Sequence, residues 1–169
     1  NDYHSSMPLR DSNARIIEIA QQYYNRYLYV STATIFSQKN LVTTVLNIAL
    51  GEVGTKEEGN NRVKYNRWFW GYEAETAWCM AFVQWCFNQA GIKLYKTASC
   101  SALWANTTSN CIIPRDQLQP GDIILFSLDE SIESAINRMD ADHVGIVVES
   151  PGNGTYITVE GNTGPPSGS

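Results

Sequence analysis

Apolar residues recur with helical spacing in three segments of the chain. In residues 12–30 they lie three and four positions apart after a Ser-Asn start, which predicts a helix. A second periodic segment, residues 41–50, follows a polar connector at residues 31–38. Residues 77–90 are apolar at nearly every position, so this helix is predicted to be buried. Thr76 is its expected N-cap, and Gly91 can close it in the left-handed conformation.

Three short apolar runs predict strands. Ile123–Phe126 follows a Pro-Gly turn and reads as a buried strand. The runs DHVGIVVE and TYITVE flank the turn SPGN, which is a hairpin pattern. If SPGN is a four-residue loop, Glu149 pairs with Gly154, and counting outward places His143 opposite Glu160. Cβ atoms of directly opposed residues lie about 4.5–5.5 Å apart, close enough for a carboxylate to hold an imidazole.

Composition narrows the class of protein. The 169 residues are enough for one domain with its own core, and 43% hydrophobic with 17% charged residues is typical of a globular protein. No apolar run approaches the roughly 20 residues of a membrane span. The start NDYHSSMPLR has no apolar segment like that of a signal peptide, and export stays open because such a peptide is removed from a mature chain. The net charge of −5, with no Lys/Arg stripe, argues against nucleic-acid partners and membrane insertion and favours a neutral or mixed-charge substrate.

Cysteines and histidines are few and lack metal-site spacing. The cysteines form no CxxC pair, so neither a zinc site nor another metal is predicted. An even number of cysteines permits a disulfide, and the pair to test is Cys100 with Cys111. The four cysteines are Cys79, Cys86, Cys100 and Cys111, and the two histidines are His4 and His143.

Cys79 lies near the N-terminus of the predicted buried helix, a position that increases the reactivity of a thiol. A helix N-terminus and a nearby imidazolium both lower the pKa of a cysteine, and the thiolate is the nucleophile. His143 would pair with it and later protonate the leaving group, while Glu160 or Asn162 would orient the imidazole. Backbone N–H groups at the helix start could receive an oxyanion. Cys86, inside the same helix, is expected to be a core residue.

The non-catalytic interpretations depend on whether these groups meet. A lone histidine at a strand start is usually a surface residue, Glu160 alone would be solvated, and Asn162 alone would be a turn residue.

Aromatic residues are dense over residues 65–72, where they either pack the core or line a cleft. The candidates for a cleft wall are Trp78, Trp70 and Tyr65. The adjacent Glu57 and Glu58, in a Gly/Asn-rich loop, are expected to be solvated.

Several ordered motifs resemble the CHAP family of cysteine- and histidine-dependent amidohydrolases and peptidases, within the NlpC/P60 papain-like group. These motifs are WCMAFVQWCFNQAG, PGDIILF, DHVGIVVE and ITVEGNT, and the resemblance covers residues 41–163. It implies an α+β papain-like core in which a nucleophile-bearing helix packs on an antiparallel sheet. Carried over by motif, Cys79 is the nucleophile, His143 the base and Glu160 the third member, with Asn162 a further polar group.

The resemblance also implies a function. It predicts hydrolysis of amide bonds in bacterial peptidoglycan, as amidase or endopeptidase, by a secreted, cell-wall or phage-encoded enzyme that needs no cofactor. Papain-like cores also host acyl transfer and hydrolysis of other amides, and a wall-binding module without activity is the non-enzymatic alternative. The expected organisation is an N-terminal extension or linker (residues 1–40), a catalytic domain (41–163) and a linker-like tail (164–169), joined to other domains of a longer chain.

Members of the family usually continue past the EGN segment into another strand, whereas here GPPSGS follows. Some members bind calcium through an Asp-rich loop near the start of the domain. No such loop is evident, and Asp140 and Asp142 are expected only to flank the histidine.

Overall fold

The computed structural model describes residues 2–8, 16–17, 32–127, 131–152 and 154–163. These residues form an antiparallel sheet of six strands with helices packed against it, which confirms the α+β papain-like class. The strands are β1 Asp2–Pro8, β2 Ile16–Ile17, β3 Ile112–Ile113, β4 Ile123–Phe126, β5 His143–Glu149 and β6 Thr155–Glu160. The helices are α1 Thr32–Gly51, α2 Lys64–Trp70, α3 Cys79–Gln89, α4 Cys100–Ala105 and α5 Ile132–Arg138.

The sheet order is β1-β6-β5-β4-β2-β3, so the predicted hairpin of β5 and β6 lies next to the predicted strand β4. The predicted register of this hairpin is wrong by two residues: Glu160 lies opposite Gly145 and not opposite His143. Glu149 pairs with Ile157 instead of Gly154, because the connection is longer than four residues and β5 carries an irregularity between Val147 and Glu149. Parity along the strands survives, so the face shared by His143 and Glu160 is as predicted.

Both faces of the central strands are buried, which explains why the VGIVV segment of β5 is continuously apolar. One face packs on α1 and α3, and its core includes Val45, Phe82, Phe87, Ile123, Val144, Ile146 and Val159. The opposite face carries a smaller cluster of Leu118, Ile124, Phe126, Val147 and Tyr156. The Tyr156 hydroxyl donates a hydrogen bond of 2.5 Å to the backbone oxygen of Arg115, which fastens the segment after β3 over this second face.

Helix α3 begins two residues later than predicted. Its N-cap is Trp78, which gives no side-chain cap, so the prediction of Thr76 as N-cap is wrong. The C-terminus is as predicted: Gly91 has φ +80°, its N–H bonds the Asn88 oxygen, and the Ile92 N–H bonds the Phe87 oxygen. These two bonds form a Schellman motif, which satisfies carbonyls of the last turn. Because Trp78 is the N-cap, Cys79 is the first residue of the helix.

The N-terminal segment differs from its predicted structure. Ile16 and Ile17 form a strand between β3 and β4, so the helix predicted over residues 12–30 is wrong at these two positions, where β-branched residues pair with other isoleucines. The rest of that prediction, like the tail at residues 164–169, lies outside the described residues. Helix α1 begins at Thr32, inside the predicted connector. Strand β1 pairs with β6, so two stretches of the predicted extension add strands to the sheet.

Asn66, on α2, ties together the loops that precede α3. It is fully buried, and its side-chain amide donates to the backbone oxygens of Asn61, Ala74 and Thr76 at 3.0, 3.2 and 2.7 Å. The bond to Ala74 lies in the interior and satisfies a buried carbonyl, while those to Asn61 and Thr76 are partly buried. This side chain therefore holds the approach to the first turn of α3.

We predict that Asn66→Ala destabilises the fold by about 2–3 kcal/mol, because it leaves a buried carbonyl unsatisfied and frees two loops. The free energy of unfolding in urea measures the effect. The matched control is Asn88→Ala, which changes an exposed asparagine near the end of α3 and is expected to leave that free energy nearly unchanged. Equal unfolding midpoints for the two variants would contradict the structural role of Asn66.

Candidate active site

Cys79 lies at the start of α3 with only 6% of its surface exposed. The first backbone bond of the helix runs from the Phe82 N–H to the Trp78 oxygen at 2.9 Å. The N–H groups of Cys79, Met80 and Ala81 therefore have no partner within the helix and carry its positive end. A negative charge that forms beside the sulfur of Cys79 is stabilised there.

His143, the first residue of β5, pairs with Glu160, the last residue of β6. The distance from His143 Nε2 to Glu160 Oε2 is 2.8 Å, and the two side chains are 14% and 4% exposed. Burial lowers the pKa of the imidazole, but hydrogen bonds and charges from Cys79 and Glu160 outweigh burial and raise this pKa to about 9. Since Nε2 faces Glu160, the other ring nitrogen, Nδ1, is left to face Cys79.

The thiol of Cys79 is acidified by its neighbours. The hydrogen bond from the Cys100 thiol is the largest influence, burial opposes it, and the hydrogen bond and charge of His143 and the Met80 N–H act in the same direction as Cys100. Together they lower the pKa of Cys79 to about 5. The hydrogen bond to Cys79 and burial raise the pKa of Cys100 well above its ordinary value. Cys79 is therefore a thiolate at neutral pH, and Cys100 remains a protonated donor.

Cys100 is held in place by the start of α4. Ser99 caps this helix by accepting a hydrogen bond of 3.1 Å from the Ala102 N–H. The Ser101 hydroxyl donates to Asp140 Oδ1 at 2.7 Å and accepts from the Ala141 N–H at 3.1 Å. The beginning of α4 is thus fastened to the residues that lead into His143.

Sequence reasoning missed Cys100 as a site residue and paired it with Cys111 as the disulfide to test. Both are free thiols in this structure, and both are buried. The spacing of the cysteines gives no signal for the contact with Cys79, because it depends on the packing of α4 beside α3. Asp140, predicted only to flank the histidine, also accepts the hydrogen bond from Ser101.

Thr158 is a second residue that sequence reasoning missed. Its hydroxyl donates to Glu160 Oε1 at 2.6 Å, and both residues are almost completely buried. Strand alternation, which places Thr158 and Glu160 on one face, was the available signal. Asn162 follows in the left-handed conformation at φ +60° and is half-buried. Of the two residues predicted to orient the imidazole, Glu160 is the one that bonds the His143 ring.

The three aromatic candidates for a cleft wall occupy different environments. Tyr65 is fully buried in the core between Trp78, Phe82 and Trp85, so it offers no surface to a substrate and that prediction is wrong. Trp78 is 3% exposed, and its ring nitrogen donates to Glu57 Oε2 at 2.9 Å. Trp70 is 41% exposed and remains a surface candidate.

The described residues contain neither a metal-binding cluster nor a membrane-spanning helix. No group of three His, Cys, Asp or Glu side chains in them is arranged to hold a metal ion. No helix in the same residues is long and apolar enough to cross a membrane.

Fold and site together define an α+β domain in which a cysteine at a helix start meets a histidine–carboxylate pair on an antiparallel sheet. The family model of the CHAP domain matches residues 68–162 of this sequence. Since this match spans more than half of the chain, the protein belongs to the CHAP-domain family, which is of the cell-wall amidase and peptidase type. A comparison with curated proteins found no match.

We predict that Cys79 titrates with a midpoint near pH 5, because its neighbours lower the thiol pKa to about 5. The ultraviolet absorbance of the thiolate measures this directly, and Cys79→Ala removes the signal. The thiolate–imidazolium pair exists above the pKa of Cys79 and below that of His143, so activity should be highest between about pH 5 and about pH 9. A thiolate midpoint near the ordinary value of about 8.5 would contradict the site described here.

We predict that Cys100→Ala moves the Cys79 titration to higher pH, because the thiolate loses a hydrogen-bond donor. Activity near pH 5 should fall severalfold, with little change on the alkaline side. Cys100→Ser keeps a donor and should lie closer to the wild type, while Cys111→Ser is the control for loss of a buried thiol. Identical titrations for Cys100→Ala and the wild type would rule out this role.

Proposed function

We propose that this protein hydrolyses an amide bond in the peptides of bacterial peptidoglycan through a thioester intermediate. Cys79 is the nucleophile, His143 the general acid and base, and Glu160 the residue that orients the imidazole. The observation that carries this proposal is the buried chain of contacts from Cys79 through His143 to Glu160, with 2.8 Å between the last two. Nucleophile, base and orienting carboxylate in hydrogen-bond sequence are what acyl transfer by a thiol requires.

In the first half of the reaction, the Cys79 thiolate attacks the substrate carbonyl carbon. The carbonyl oxygen becomes an oxyanion, which the first-turn N–H groups of α3 are placed to stabilise. The imidazolium of His143 then gives its proton to the amide nitrogen, the C–N bond breaks, and the amine leaves. A thioester on Cys79 and a neutral His143 remain.

In the second half, water attacks the thioester. Neutral His143 accepts a proton from this water, a second oxyanion forms at the same position, and the C–S bond breaks to release the carboxylic acid and the thiolate. Glu160 stays ionised throughout, and its bond to Nε2 keeps Nδ1 directed at the reacting atoms. After both halves of the reaction, Cys79 is again a thiolate and His143 again an imidazolium.

Family membership supports the proposed substrate class, because the family is of the cell-wall amidase and peptidase type. We infer a protein that acts at the bacterial cell wall, either after secretion or after release by lysis of the cell. The net charge of −5 is compatible with peptides that carry both amino and carboxyl groups.

We predict that the wild type clears a suspension of purified cell walls and that Cys79→Ala loses at least about a thousandfold of that activity, since no nucleophile remains. Turbidity measures the reaction. Cys111→Ser, which changes a thiol outside the site, is the control and should clear at nearly the wild-type rate. Equal clearing by Cys79→Ala and the wild type would rule out the thiol mechanism. Wall binding without clearing by either protein would favour a binding module.

Mass spectrometry of the digested wall then identifies the bond. A new amino group on a stem or cross-bridge peptide indicates an endopeptidase, whereas a freed lactyl group indicates an amidase. Products joined to an added amine, in place of free acid, would indicate acyl transfer.

A further inference from the structure

The Glu160 side chain reaches His143 along a diagonal. The Cα partner of Glu160 across the hairpin is Gly145, yet its carboxylate bonds the ring of His143, two residues before Gly145 in β5. Residues two apart on a strand share a face, so Glu160 must pass directly over Gly145 to make this bond. The pair therefore depends on what occupies position 145.

Gly145 leaves that path open. A Cβ atom built on it would lie 2.8 Å from Glu160 Cγ and 3.4 Å from both Cδ and Oε1, and these are the three nearest heavy atoms. The backbone of Gly145 is regular strand and has no positive φ, so its conformation does not demand glycine. The missing side chain is needed for space, because the Glu160 side chain lies where a Cβ of residue 145 would be.

Thr158 holds the far oxygen of the same carboxylate. Its hydroxyl bonds Oε1 at 2.6 Å, while Oε2 bonds His143 at 2.8 Å. With both oxygens bonded from defined directions, the carboxylate cannot rotate without breaking one of these contacts.

We propose that Gly145 and Thr158 are positioning residues of the His143–Glu160 pair: Gly145 provides the passage over which Glu160 crosses the hairpin, and Thr158 fixes the orientation of the carboxylate at its end. The inference rests on the proposed function for its effect on activity, whereas its effect on His143 can be measured without a substrate.

The test uses Gly145→Ala, Glu160→Ala and the double variant. The added methyl group should push Glu160 away from His143, so each single variant should lower the pKa of His143 below its wild-type value and reduce wall hydrolysis strongly. If Gly145 acts only through Glu160, the double variant should match Glu160→Ala in both measurements. The control is Gly51→Ala, at the end of α1, where an added Cβ meets no atom within 4 Å.

NMR titration of the histidine rings gives the decisive reading. The chain has two histidines, so His143→Gln assigns the two signals. A lowered His143 midpoint shared by all three variants supports the proposal, and a wild-type midpoint in Gly145→Ala overturns it. If Gly145→Ala does not fold, recovery of folding in the double variant supports the steric contact, and failure of both to fold overturns it.

Thr158 is tested by a pair of substitutions. Thr158→Val keeps the shape but removes the donor and should move the His143 midpoint toward that of Glu160→Ala, whereas Thr158→Ser keeps the donor and should stay near the wild type. An unchanged midpoint in Thr158→Val excludes Thr158 from the positioning role. If the midpoints shift as expected but the wild type cleaves no wall, the positioning stands and the proposed substrate fails.

Discussion

The buried carboxylate of Glu160 is the constraint on which the site depends. A carboxylate with 4% of its side chain exposed is strongly destabilised unless it is paired and hydrogen-bonded. His143 supplies the charge and Thr158 the second hydrogen bond. Together with Cys79, the carboxylate keeps the imidazole protonated near neutral pH. Together with Cys100, the imidazolium keeps Cys79 ionised. Removal of His143 would leave Glu160 as a buried carboxylate without its positive partner.

Close approach between elements brings these groups together, and two glycines permit it. Gly145 lets Glu160 cross the hairpin, and Gly161 lets the end of β6 pack on α3, since a Cβ there would lie 2.7 Å from Phe82 Cβ and 2.8 Å from the Trp78 ring. Trp78 is in turn bonded to Glu57 of the preceding loop. The first turn of α3 therefore meets the carboxyl end of β6 directly, and the distance between nucleophile and pair is set by backbone packing.

Local pattern in the sequence was sufficient for part of this arrangement. Strand alternation placed His143 and Glu160 on one face, and the position of Cys79 at a helix start followed from the apolar run that ends at Gly91. The register was not predictable, because the irregularity after Val147 has no local signature, and only the correct register reveals why position 145 is glycine. The Cys79–Cys100 contact and the burial of Tyr65 arise from the packing of separate helices, which no spacing rule encodes.

The site holds more hydrogen-bond donors than a thiolate–imidazolium pair needs, and its charge explains why. At rest Glu160 and Cys79 are negative and His143 is positive, so the buried cluster carries one excess negative charge. Donors from Cys100, the Met80 N–H and Thr158 are distributed around it and offset that charge. Because its raised pKa keeps Cys100 protonated, this donor does not compete with Cys79 as a nucleophile. When the acyl group is attached and His143 is neutral, the excess charge resides on Glu160 alone, which leaves the imidazole basic enough to activate water.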